Sequence, residues 1–219
     1  MTRRLRTLAI MALWLSLGAC VPWTVRPIDG EKEGPEGPSA VSPAAYVDSI
    51  WADKLVPAVL HAAVDARTLV DALAASPEDA QARYGHREAN GPVYFIVKGK
   101  GVVTSIDTRS RNGLALVDVA PFDGRPDVSI QIGPVLRGTS LRDATGIVRF
   151  TDFVNQLQFA DVGNELNDRV LKTVLASLDR AKLTGSVVTF AGTLAAEGKA
   201  EPPLRELVPV KLEVEERRR

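Results

Sequence analysis

The chain has 219 residues, with 27 Lys and Arg against 27 Asp and Glu, one cysteine and two histidines. This balance provides no excess of cations to neutralise nucleic-acid phosphates, and a single cysteine excludes a disulfide framework. His61 and His86 are far apart, with no cysteine or carboxylate at ligand spacing, so no metal motif is present and no cofactor is expected.

Arg3, Arg4 and Arg6 precede an apolar run, Leu8 to Leu17. That run is too short for a membrane span, which needs roughly 20 apolar residues, and residues 1–19 read as a secretory signal. The signal ends in Leu17-Gly18-Ala19-Cys20, which resembles a bacterial lipobox. Cys20 is the expected lipidation site, because a thiolate is a strong nucleophile and this thiol has no disulfide partner. One acyl chain holds a protein only marginally, whereas two or more give a lasting anchor. Removing residues 1–19 removes three arginines, leaving 24 basic against 27 acidic side chains and a formal net charge of −3. Val21 stands where inner-membrane lipoproteins of enteric bacteria often carry Asp, so by analogy the outer membrane is slightly favoured.

Residues 20–42 are rich in proline, glycine and charge, with little to bury, and read as a flexible tether. Residues 43–86 form a predicted helical region. Trp51, Leu55, Val59, Ala62, Ala66, Val70 and Leu73 recur at threes and fours as one apolar stripe, which Pro57 is expected to kink or divide. "SPEDAQARYG" predicts a short helix with Ser76 as cap, Pro77 in the first turn and Gly85 as stop.

Residues 91–215 change to strand texture. "PVYFIVKGKGVVTSI" is a long predicted strand with Gly99 and Gly101 at a bend or bulge. Turn signals then separate strands at 114–119 and 128–132. A helix is predicted from Asp152 to Leu178, with Leu166, Val170 and Val174 on one face and Gly163 as a candidate break. Strands at 186–194 and 207–214 close the chain. In the last, Val208, Val210, Leu212 and Val214 alternate with Pro209, Lys211 and Glu213, and Pro209 marks an edge or a closure point. Three strands, a helix and two strands give a mainly β fold with helices (α+β). The expected form is a five-stranded OB-like barrel with a helix between strands three and four and an N-terminal helical addition. An open α+β sandwich is the alternative.

The densest polar chemistry falls in residues 132–161, where Arg137, Arg142 and Arg149 alternate with Asp143, Asp152 and Asp161. On the predicted helix Asp152, Asn155 and Gln156 share a face at i, i+3 and i+4, and Phe159 continues it. Arg137, Arg142, Asp143, Asp152, Asn155 and Gln156 therefore form a candidate ligand or partner surface. Guanidinium forks, a carboxylate, amides and an aromatic ring suit polyol or carboxylate recognition. The same residues also suit a structural ion-pair network, with Arg142 and Asp143 buried and Asn155 and Gln156 nearer to solvent.

"IWADKLVPAVL", "VKGKGVV", "IQIGPVLRGTSLRDATGIVRFTDFVNQLQFADV" and "LTGSVVTFAGTL" together resemble a family of periplasmic lipoproteins called domain of unknown function 2291. The Gly-Pro-x-x-Arg-Gly-Thr-x-x-Arg-Asp run at 133–143 is the most specific part. The resemblance implies an OB-like barrel and a lipid anchor, and some members are encoded beside sugar ABC transporters. It brings no catalytic residue, and the chain holds no G-x-S-x-G elbow or phosphate loop. The expected protein is a non-enzymatic, membrane-anchored periplasmic module whose partner is an ABC-transporter component or a sugar ligand. A nucleic-acid-binding OB protein and a purely structural envelope protein are the alternatives. Nucleic acid is disfavoured by the negative mature charge and by 5% aromatic content, since single-strand binders pair a basic groove with stacking rings.

Overall fold

Five strands hydrogen-bond into a closed ring in the computed structural model, which describes residues 41–87, 91–196 and 203–215. The signal segment, Cys20 and nearly all of the expected tether lie outside the described residues. The strands are β1 (Val64–Asp65), β2 (Val93–Asp107), β3 (Leu114–Val119), β4 (Val128–Gln131), β5 (Val187–Ala196) and β6 (Leu204–Glu215). The ring runs β2-β3-β4-β6-β5 and back to β2. All its pairings are antiparallel except the short parallel contact of β4 with β6. β1 adds two residues in parallel beside Val97 and Lys98 of β2.

β2 has to serve two partners. Its first part pairs with β5 and its second with β3, and at Gly101 and Val102 it has neighbours on both sides. A Cβ on Gly101 would lie 2.4 Å from the Asp118 carbonyl oxygen, and one on Gly99 would lie 2.8 Å from the Phe190 ring. These glycines are therefore required for close approach, while the register shift of β2 against β3 falls later, between Val103 and Ser105. Val97, Val103, Val117, Val128, Ile130, Val188, Phe190 and Leu207 fill the core.

In β6 the expected alternation fails: Leu207, Val208, Pro209 and Val210 are all buried, Leu212 is only half-buried and Val214 is exposed. Pro209 is itself buried, opposite Gly192. The register shift between Ala191 and Gly192 sits at that point and breaks the two-residue phase of the strand.

The N-terminal helical region divides beside Pro57, as its missing donor predicts, and again at Ala63. α1 (Pro43–Ile50) is capped by Ser42, whose hydroxyl accepts from the Ala45 N–H at 3.3 Å. A π turn at Trp51–Leu55 follows, closed by the Val56 N–H donating to the Trp51 carbonyl, and α2 (Val56–Ala62) carries Pro57 in its first turn. A proline lacking an N–H costs little there, and the wider turn before it makes room for the ring. The chain leaves the helix at Ala63, with ψ of 125°, to form β1. The stripe is consequently split: Ala62 is exposed and Ala63 is buried in its place. α3 (Ala66–Ala75) starts on Asp65, which accepts from the Arg67 and Thr68 N–H groups, and α4 (Pro77–Tyr84) starts on Ser76.

After β4 come α5 (Ser140–Asp143), a 3-10 turn at Phe150–Asp152 and α6 (Gln156–Thr173). α6 begins four residues later than the expected Asp152 and ends before Leu178, and Gly163 lies buried within it without breaking it. Among the described residues no helix is long and apolar enough to cross a membrane.

Gly101→Ala is expected to lower stability by about 2 kcal/mol, since the new methyl group meets backbone that cannot swing away. Urea unfolding of the variant checks this, and a loss below about 0.5 kcal/mol would show that the strand junction is not tight.

Candidate functional site

α5 is a single helical turn, yet three separate parts of the molecule, β2, β5 and α6, fasten to it. Its first residue, Ser140, is buried and receives the hydroxyl hydrogen bond of Thr193 on β5 at 2.9 Å. Its last residue, Asp143, collects donors from three directions. The Tyr94 hydroxyl on β2 donates to Oδ2 at 3.0 Å, and the Thr139 hydroxyl donates to the same atom at 2.6 Å. Arg142 forks onto both oxygens, Nε to Oδ1 at 2.7 Å and Nη2 to Oδ2 at 3.0 Å. The Arg142 and Asp143 side chains are only 12% and 13% exposed, so the pair is largely withdrawn from water. Burial pushes the Tyr94 phenol above its ordinary value, and its contact with Asp143 adds to the rise.

Arg142 also reaches across to α6. Its Nη1 donates to the Phe159 carbonyl at 3.2 Å, and its guanidinium lies 3.9 Å from the centre of the Phe159 ring. Such stacking favours arginine, whose flat cation is weakly hydrated. Phe159 in turn touches Phe150 edge-on at 5.5 Å and Phe153 at 5.8 Å, and Phe153 meets Tyr46 of α1 at 4.9 Å.

Between these groups lies an open groove of about 410 Å³, lined by Gly91, Pro92, Tyr94, Arg142, Asp143, Phe150, Gln156 and Phe159. Three of the six sequence candidates, Arg142, Asp143 and Gln156, line it; Arg137, Asp152 and Asn155 do not. Arg137 is exposed, and its backbone is what matters: the buried Gln131 accepts its N–H at 2.8 Å and donates to its carbonyl at 3.0 Å. Asp152 pairs with Arg149 at 3.0 Å on the surface.

The shared helical face expected for Asp152, Asn155 and Gln156 does not exist, because α6 starts after Asn155. Asn155 is its cap, accepting from the Gln158 N–H at 2.9 Å, while the Gln158 side chain accepts from the Val154 N–H at 3.3 Å. An Asn with a Gln three residues later is a helix-start signal, and it outweighs the apolar periodicity that ran on towards Asp152. Tyr94, Thr139 and Phe150 were not among the candidates. Tyr94 lies 49 positions from Asp143, so only the strand pairing reveals their contact. The described residues contain no group of three or more His, Cys, Asp and Glu placed to hold a metal ion.

The model of a family described as predicted periplasmic lipoprotein (DUF2291) matches residues 9–213. The chain belongs to that family. Among solved structures, this DUF2291 protein is similar to an OB-fold protein from Thermotoga maritima, crystallised at 1.90 Å resolution. The two share 24% identity with a TM-score of 0.66, over 81% of this chain and 100% of the other. Among curated proteins none matches. The five-stranded ring, with its helix between the third and fourth ring strands, agrees with that OB-fold neighbour. Membership in DUF2291 places the chain in the cell envelope, facing the periplasm.

Removing Arg142 strands a buried carboxylate, so Arg142→Ala is expected to cost about 3 kcal/mol. Asn155→Ala removes one exposed helix cap and should cost about 1 kcal/mol. Thermal and urea unfolding rank the two, and an Asn155→Ala loss as large as that of Arg142→Ala would contradict the assignment.

Proposed function

We propose that this protein is a lipid-anchored, non-enzymatic binding module of the periplasm, whose groove receives a small polyol such as a sugar. The observation that carries the reading is the state of Asp143. Its carboxylate already accepts four hydrogen bonds, from Tyr94, Thr139 and two nitrogens of Arg142. With its oxygens occupied in this way, the carboxylate has little room left to engage a ligand itself. It serves instead to hold Arg142 and Tyr94 still. The aromatic faces of Phe150 and Phe159 and the exposed amide of Gln156 then offer an apolar wall with polar contacts beside it.

Lipidation at Cys20 and residence at the outer membrane are part of this proposal, supported by the lipobox-like sequence and by Val21 after the cysteine. Association with a sugar ABC transporter is the setting that the family resemblance suggests. The nucleic-acid alternative draws its support from the OB fold alone. Against it, the groove carries one arginine balanced by one aspartate rather than a basic track.

Full-length mature protein screened by thermal shift with sugars and other polyols should show a rise in melting temperature with at least one of them. Gln156→Ala should remove that rise while leaving the unliganded stability within about 0.5 kcal/mol. No shift with any polyol, together with single-stranded DNA binding at near-physiological salt, would overturn the reading in favour of the alternative. For the anchor, Cys20→Ser behind an ordinary cleavable signal should move the protein from the membrane to the soluble periplasmic fraction.

A further inference from the structure

Three large apolar side chains stand in solvent around the start of α6: Phe150 is 54%, Val154 67% and Leu157 71% exposed. They fall within eight residues and flank the helix cap. Clustered exposure of this kind marks a contact surface. The groove accounts for Phe150, which forms part of its wall, but not for Val154 or Leu157.

Two features say what covers them. The first is charge: residues 149–160 hold only Arg149 and Asp152, and these pair with each other at 3.0 Å. The neighbouring exposed side chains, Thr151, Asn155 and Gln156, are neutral. The stretch is therefore close to neutral, and it presents an aromatic ring with aliphatic side chains, a composition that can settle at a bilayer surface. The second is the place where the chain arrives. α1 starts at Pro43, and Tyr46 in its first turn packs edge-on against Phe153, which lies between Phe150 and Val154. Helical side chains lean towards their own N-terminus, so the ring contact lies on the side from which the preceding chain enters. The covalent path from Cys20 to Val41 spans 21 links, at most about 75 Å when fully extended. A lipid on Cys20 thus holds the domain within that distance of the membrane and raises the local concentration of bilayer seen by the patch.

We infer that Phe150, Val154 and Leu157 form a second membrane contact, seating the start of α6 on the bilayer to which Cys20 is attached. This rests on the lipid-anchor reading. Phe150 would then carry the groove to the membrane surface, so that its mouth opens beside the lipid headgroups.

The test uses the full-length lipidated protein in vesicles of phosphatidylethanolamine and phosphatidylglycerol. Because Cys20 is acylated, Val154→Cys and Leu157→Cys each introduce a single free thiol for an environment-sensitive dye. Phe122→Cys, at a residue 62% exposed in the turn between β3 and β4, is the control. Dyes at 154 and 157 should be quenched by nitroxide-labelled lipid and shielded from aqueous iodide, and the dye at 122 should behave in the opposite way. Leu157→Asp in the Val154→Cys protein should return its dye to iodide quenching without unfolding the domain. Co-flotation with vesicles while the 154 and 157 dyes remain open to iodide would overturn the membrane contact and leave the anchor intact. Failure to co-float would overturn the anchor, and the contact with it. Shielding from iodide that persists without vesicles, in protein carrying Cys20→Ser, would assign the patch to a second copy of the chain and overturn the inference.

Discussion

The Asp143 carboxylate is a charge held mostly out of water at the meeting point of β2, α5 and α6, and the surrounding structure is arranged to satisfy it. An isolated carboxylate in that position would be strongly unfavourable, and the cost is offset only when its lone pairs are occupied. Tyr94 supplies a donor from the ring, Thr139 one from the loop, and Arg142 a fork from the preceding position in the chain. Once Arg142 is held in this way, its remaining face and Nη1 fix Phe159, and through Phe159 the aromatic series running to Phe153 and Tyr46. One buried ion pair thereby ties the five-stranded ring to α6 and α6 to the N-terminal helix. The ion pair Arg169–Asp48 adds a second tie between α6 and α1 at the surface.

The ring itself depends on close backbone approach. β4 and β6 meet in parallel over very few residues, and the contact is reinforced by buried polar side chains. Ser129 accepts the Glu206 N–H at 2.9 Å, and Gln131 donates to the Glu206 carbonyl at 3.1 Å. Glu206 has φ of 58°, a left-handed backbone that an L-residue adopts only at a cost, and these two bonds hold it there. Gly192 completes the closure on the other side of β6, where a Cβ would lie 2.2 Å from the Val208 carbonyl oxygen. Arg180 secures the path out of β4 by donating to the Ile132 carbonyl at 2.7 Å.

Much of this architecture was legible in the sequence. The strand "LALVDV" is bounded by turn signals and occupies Leu114–Val119, as its pattern predicts, and Ser76 caps its helix as expected. Strand order, with a helix before the last two strands, was enough to indicate the OB-like ring. What could not be read depended on contacts distant in the chain or on competition between local signals. β1 is two residues long and exists only because β2 offers an edge beside it. The helix start at Asn155 was hidden because apolar spacing continued upstream, while capping chemistry decided the boundary. Gln131 lay within a run read as strand, with nothing to show that its amide would clamp Arg137 and Glu206. For the candidate surface, the sequence located the region but not the set: Arg142, Asp143 and Gln156 meet at the groove, and their partner Tyr94 comes from another strand.

The proposed binding role rests on a hub whose charged groups hold one another in place beside an open groove. The hub is therefore the part of the account to measure. Tyr94→Phe and Arg142→Met each remove a donor from Asp143 while keeping most of the side-chain volume. Urea unfolding of both single variants and the double variant gives their coupling. Groups that share one buried carboxylate should be non-additive by about 1 kcal/mol or more. Additivity within about 0.3 kcal/mol would mean that Tyr94 and Arg142 act independently, and that Asp143 is not the point on which the structure turns.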